Sequence, residues 1–408
     1  MHSHSHGPLD GDDETTIEIR PDLERSMWIA VVVCVIVALL GVVLLWPSGS
    51  DTARDPSDLG GETVQANVVD ATVDPCSFDP LLVCRNLTIV PSEGDLVGER
   101  LSFEQSIDSL IRTGDTILVD VGTNPDGTTR VSFFDFARST PMLLLALLFV
   151  TAIVLLGRWR GLGALAGLVA SLAIIVGFVL PAILDGANPV MVAVLASGVI
   201  AAVALFLSHG VNPATGAALL SSIASLAITA LLAWIFVGAT NLTGLANDSI
   251  GFLDALGGTV DARGLLRAGV VSGSRGVLDD VTVTQVSAVW ELKRARPSAN
   301  TAELYRRAVR SGRDHIASTV NTLFLAYAGA ALPLLLLFEE AGQSLSSAVT
   351  REVVAVEVVR ALVGSVGLVA SVPISTGLAA ALLGSATGTD STTEQPNAGD
   401  RLPPPRPD

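Results

Sequence analysis

Eight apolar runs punctuate the chain: Met27–Trp46, Pro141–Leu156, Leu162–Leu180, Val190–Leu207, Ala214–Val237, Leu265–Trp290, Ile316–Phe338 and Val353–Leu383. Most are close to the ~20 residues a helix needs to cross a hydrocarbon core. The sixth is dotted with polar residues. The last is too long for one straight span, so its start, Arg351–Arg360, is expected either along the membrane interface, with the chain diving at Leu362, or as part of a broken helix. Asn188-Pro189 and Asn212-Pro213 each set a cap residue before a proline where a run begins, and His209-Gly210 closes the run between them. Pro333 and Pro373 should kink their helices. Between the first two runs the pattern changes. Short β-type stretches at Glu62–Val73, Leu87–Val90, Asp95–Leu101, Thr116–Val121 and Arg130–Phe134 are separated by turn signals such as Pro91-Ser92-Glu93-Gly94 and Asn124-Pro125-Asp126-Gly127.

The expected fold is therefore mainly α: a polytopic transmembrane helical bundle of about eight spans, with a small extracytoplasmic β domain between spans 1 and 2. Residues 1–26 and 385–408 are expected as disordered cytoplasmic ends, 27–46 as the first span, 47–140 as the β-rich domain and 141–384 as the bundle.

Charge supplies the orientation. The net charge of −16 is concentrated in the polar segments; residues 47–140 hold 16 acids against 6 bases. That acidity excludes a nucleic-acid surface. The loop 291–315 holds seven bases, and Arg158-Trp159-Arg160 marks a second basic loop. Both should lie on the cytoplasmic side. The acidic segment then lies outside, both termini lie inside, and the expected site is the bacterial inner or plasma membrane. A mean hydropathy of +0.57 agrees with a membrane chain.

Cys76 and Cys84 lie eight apart in the acidic segment and are disulfide candidates if that segment is outside the cell; two free thiols are the alternative. Cys34 sits in an apolar run. His2, His4 and His6 form either a flexible metal scavenger or an incidental head, so a metal stays unassigned. No nucleotide loop, zinc-protease motif or serine elbow occurs, which points away from an enzyme and from a cofactor.

The candidate chemistry is the acidic doublet Asp279-Asp280 inside the sixth run. A charge in lipid costs at least ~2.5–3.5 kcal/mol, so embedded acids face a partner, a cation or water. Arg275 lies four residues before Asp279 and shares its face, which suits an ion pair. Asp280 points about 100° away, on a stripe with Gly273 and Thr284, and is the stronger transport candidate; Gln285 follows. On the next run Asp314, His315, Asn321 and Thr322 are candidates. Asn321 and Thr322 are expected level with Asp280, and His315 nearer the cytoplasmic mouth, either carrying protons or pairing with Asp314. Glu357 and Arg360, at i,i+3, can pair in the last run.

At these residues the chain resembles the YibE/YibF-like family of multipass membrane proteins. The matching text is Gly276-Val277-Leu278-Asp279-Asp280-Val281-Thr282-Val283-Thr284-Gln285, then Gly312-Arg313-Asp314-His315-Ile316 with Asn321-Thr322-Leu323. Ala326-Tyr327-Ala328-Gly329, Leu332-Pro333-Leu334 and Glu352, Glu357, Arg360 with Gly364-Ser365-Val366-Gly367 follow. The resemblance covers roughly 60–383. It implies the topology and the polar site, and no substrate.

The leading expectation is a secondary transporter coupled to a proton or other cation, its substrate an unknown small solute or ion. The alternative is a non-transporting scaffold or sensor whose β domain binds an envelope component. Expected partners are membrane lipid and the solute or ion, with homo-oligomerisation left open.

Overall fold

The computed structural model describes residues 19–47, 62–79, 81–124, 127–246, 260–342 and 344–384. Of the ends expected as disordered, residues 1–18, with the histidine-rich head, and 385–408 lie outside the described residues, but 21–26 are helical: Pro21 opens the first helix, its φ preset for a helix start, and the apolar run simply continues it. The chain divides into two units, 48–162 and the remainder.

The first unit carries a five-stranded antiparallel sheet: β1 (Glu62–Pro75), β2 (Val83–Pro91), β3 (Leu101–Ser106), β4 (Thr116–Thr123) and β5 (Thr129–Phe136). Its order is β3-β2-β1-β4-β5. Bulges lie in β1 between Val68 and Asp70 and opposite Leu118 and Val119 of β4, and edge strands β3 and β5 approach each other. Bulges sharpen local twist and bend a strand, which favours such curling. Alternation along the strands buries Val64, Ala66, Val68, Leu87, Ile89, Ile117 and Val119, and Ile111 from the β3–β4 connection joins them. Cys76 and Cys84 form a disulfide that staples the β1–β2 connection. One strand differs from expectation. The stretch 95–100 is a turn and the third strand starts at Leu101, because Gly94 (φ +83°) and Gly98 (φ +84°) both take the left-handed conformation, which interrupts an extended run. The same unit holds α2 (Ser139–Trp159).

The second unit is helical: α1 (Pro21–Leu44), most of α3 (Gly161–Leu184), α4 (Pro189–His209), α5 (Pro213–Ala239), α6 (Ala262–Ala295), α7 (Thr301–Ala330), α8 (Leu332–Glu340), the short α9 (Leu345–Thr350) and α10 (Glu352–Leu383). Among the described residues, six helices are long and apolar enough to cross a membrane: α1 to α5 and α10. The pair α7 and α8, bent by 57° at Ala331 just before Pro333, makes up to seven. All eight apolar runs are helical, but α6 carries too much charge and polarity to qualify by composition alone. The last run is resolved differently from expectation: α10 runs unbroken from Glu352 through Pro373, with no break at Leu362. At the proline, the Ser375 hydroxyl bonds the Ser371 carbonyl (2.7 Å) and the Ser371 hydroxyl bonds the Leu368 carbonyl (2.7 Å). Neither acceptor is the Val369 carbonyl, the one from which Pro373 withholds an amide.

Helices α5, α6 and α10 pack mutually, with α4 against α5 and α6, α1 against α4 and α5, and α7 against α6 and α10. Small residues make this possible. A Cβ on Gly367 of α10 would sit 2.0 Å from Thr229 Oγ1 of α5, and one on Gly163 of α3 2.3 Å from the Leu207 carbonyl oxygen of α4. Such close approach is how membrane helices gain packing contact without a hydrophobic drive. Asn188 caps α4 by accepting from the Val190 and Met191 amides, and Asn212 caps α5 by accepting from Thr215.

Candidate functional site

The polar interior is built from α4, α5, α6 and α10. On α6, Arg275 Nη2 donates to Asp279 Oδ2 at 3.0 Å, one turn apart. Both side chains are largely enclosed, 17% and 15% exposed. Arg275 Nε and Asp279 Oδ1 are shielded from solvent and have no partner among the described residues. A cavity of about 10 Å³, room for one water, is lined by Arg275 and Asp279 with Ser197 and Gly198 of α4 and Ser222 of α5; Ala201, Ile223, Leu226 and Leu278 complete it. Asp279 sits near the midpoint of α6. Below it Ser222 and Thr282 share a hydrogen bond of 2.7 Å. One turn further, Gln285, 2% exposed, accepts from the Thr376 hydroxyl of α10 at 3.1 Å. Gly312 of α7 packs on the Gln285 amide.

Asp280 and Thr284 stand elsewhere. Both are exposed, and the Thr284 hydroxyl is turned back to the Asp280 carbonyl at 2.8 Å. The stripe predicted for Asp280 does exist as a face of α6, but it faces away from the enclosed cavity. At its other end a second polar group gathers. Arg360 Nη1 donates to both carboxylate oxygens of Glu357 (2.9 and 3.1 Å). A Cβ on Gly269 would lie 3.7 Å from Arg360 Nη2, and one on Gly273 3.5 Å from the Tyr327 hydroxyl. The guanidinium and the phenol thus lie beside this glycine-bearing face.

On α7, Asp314, Asn321 and Thr322 are exposed. His315 is half-buried, its Nε2 shielded and unpaired among the described residues. The Asp314–His315 pair does not form, because adjacent helical residues do not face each other. Asn321 and Thr322 lie about one turn past the level of Asp280, which is itself only five residues from Gln285. Helix α7 begins at Thr301, so Gly312 is level with Gln285, and Asn321 lies more than two turns beyond that. Ser197, Ser222 and Thr376 are the site residues that sequence reasoning missed. Their only signal was hydroxyls recurring within apolar runs, Ser221, Ser222, Ser225 and Thr229 above all.

At one end of the bundle Glu352 accepts from the Thr243 and Gly244 amides (2.6 and 2.7 Å) and from the Thr243 hydroxyl, while Arg263 Nε donates to the Leu242 carbonyl. This ties the start of α10 to the end of α5 and the start of α6. At the other end Lys293 Nζ donates to the Ala299 carbonyl within the α6–α7 turn.

The sequence pattern of the family described as YibE/F-like protein matches residues 145–385, more than half the chain and all of the helices that form this interior. The chain belongs to the YibE/F-like family. No curated protein and no solved structure matches it. Family membership together with the apolar helices makes it a membrane protein. Among the described residues no group of three or more histidine, cysteine, aspartate or glutamate side chains is placed to hold a metal ion.

Proposed function

We propose that this YibE/F-like protein is a secondary transporter, coupled to ion movement through the Arg275–Asp279 site. One observation carries the reading: a buried ion pair near the middle of an interior helix, with an unpartnered carboxylate oxygen beside a hydroxyl-lined, water-sized cavity. Buried charge of this kind is expensive in a membrane bundle and marks ion pathways and relays. Eight crossings, with the basic α6–α7 turn inside and the β domain outside, are the topology that goes with it.

The coupling residue in this proposal is Asp279. Asp280 was the expected one, but it lies on the outer face of α6. In proteoliposomes loaded with a pH-sensitive dye, the wild type should show solute-dependent proton flux across a panel of inorganic ions and small organic solutes, and Asp279→Asn should not. Undiminished flux in Asp279→Asn would remove the proposal.

The β domain supports a second reading, recognition of an envelope component. A hollow of about 430 Å³ is lined by the disulfide, Phe78, Leu82 and Val83, facing Glu104 to Ile107. Loss of an envelope phenotype on Phe78→Ser, with flux intact, would favour it.

A further inference from the structure

We propose that the Arg275–Asp279 site takes a small anion together with a proton, with Asp279 acting as the internal stand-in for the anion. The inference rests on the transport reading above and specifies its cargo. A metal cation does not fit. The guanidinium is bound directly to the carboxylate at 3.0 Å, and like charge at that range opposes a second cation. The remaining lining groups that can bond are the hydroxyl of Ser197 and, once it leaves Thr282, that of Ser222. Hydroxyl donors and a guanidinium fork are the recognition set for a carboxylate or a similar oxyanion. Such an anion is already there: the carboxylate of Asp279 occupies one edge of the fork, while Arg275 Nε and Asp279 Oδ1 stay unpartnered.

The cavity settles the order of events. At about 10 Å³ it holds one water and no anion while the pair is closed. A hydronium ion gives up a proton to the Asp279 carboxylate: one O–H bond breaks, leaving water, one forms on Asp279, and the charge holding Arg275 is removed while Arg275 keeps its own proton. The freed guanidinium then takes the anion. The site is neutral both as the closed pair and as the loaded complex of neutral Asp279, Arg275 and a monoanion. Only the half-loaded state exposes a lone charge to the bundle interior, which couples the two ligands. Among the described residues no other titratable group lines the cavity. From α4 it meets Ser197, Gly198 and Ala201, and from α5 Ser222, Ile223 and Leu226. On α6, Asp280 points about 100° away. Tyr327 of α7 and the Glu357–Arg360 pair of α10 lie on the Gly269–Gly273 side.

Anion binding to the full-length purified chain tests this without knowledge of the natural cargo. The readout is the rise in thermal unfolding midpoint with formate, chloride or inorganic phosphate over gluconate at constant ionic strength. In the wild type, apparent affinity for at least one of the three should fall about tenfold per pH unit above the titration of the site, the slope for one linked proton. Asp279→Asn, which mimics the protonated acid, should bind the same anion with that slope abolished, and Arg275→Gln should lose binding at every pH. No stabilisation of the wild type by any of the three overturns the proposal, as does a wild-type slope retained in Asp279→Asn or binding retained in Arg275→Gln. If Asp279→Asn fails to fold, Asp279→Asn/Arg275→Gln removes both charges together and serves as the siteless control, and the wild-type slope decides. Flux without anion binding sinks this inference and leaves the transport reading intact; anion binding without flux does the reverse.

Discussion

Asp279 and Asp280 show how far one residue step on a helix separates two fates. Their 100° offset puts Asp279 on the α4–α5 side, beside Arg275, and Asp280 on an outer face. The i,i+4 spacing made the Arg275 pair legible. Which acid is enclosed was not, because that depends on which face of α6 meets α4 and α5. Breaking the pair should follow the logic of an orphaned charge. We expect Arg275→Gln/Asp279→Asn to retain more folded protein than Asp279→Asn alone, since removing one partner of a buried pair costs roughly 3–5 kcal/mol and removing both costs far less. Equal abundance of single and double variants in membranes would contradict this. Asp280→Asn should behave as the wild type in abundance and in any flux assay. Packing is as residue-specific. Gly367→Ala places a methyl 2.0 Å from Thr229 Oγ1 and should destabilise by about 1–3 kcal/mol, read by denaturation in detergent, with partial recovery on adding Thr229→Ala.

Among the elements, the helices were the most legible part of the molecule, because a run of about 20 apolar residues has few other fates. Even their ends were readable. Asn188 and Asn212 cap α4 and α5 with the side-chain bonds their position before proline implies. Asn212→Ala should cost about 1 kcal/mol, visible as a lower denaturation midpoint, whereas Asn212→Asp should cost little. A full loss on Asn212→Asp would show that the cap bond is not what the residue supplies. Pro333 sits just after a 57° bend, while Pro373 lies inside a continuous helix. The third strand was misplaced by six residues because β propensity at 95–101 lost to two left-handed glycines.

For the whole molecule, orientation and covalent staples are the testable matters. The basic α6–α7 turn should be cytoplasmic by the positive-inside rule. In a variant lacking the native cysteines, Ser298→Cys should be modified by an impermeant maleimide only after cells are opened; labelling in intact cells would invert the topology. Cys76 and Cys84 should resist alkylation until reduced, and Cys76→Ser/Cys84→Ser should make the β1–β2 connection more sensitive to protease, since a short closed loop restrains the unfolded chain by a few kcal/mol at most.

What the sequence by itself determined is set by local physics. Apolar length specifies the helices, alternation and turns specify a β domain, and i,i+4 spacing pairs Arg275 with Asp279. Only the tertiary structure decided that Asp279 rather than Asp280 is enclosed and that Ser197 and Ser222 complete the cavity. It also showed Gln285 bound to Thr376, and Asn321 and Thr322 looking outward. Those outcomes depend on which helix faces meet, and that is decided by close approach at residues such as Gly312 and Gly367, whose neighbours lie dozens of residues away along the chain.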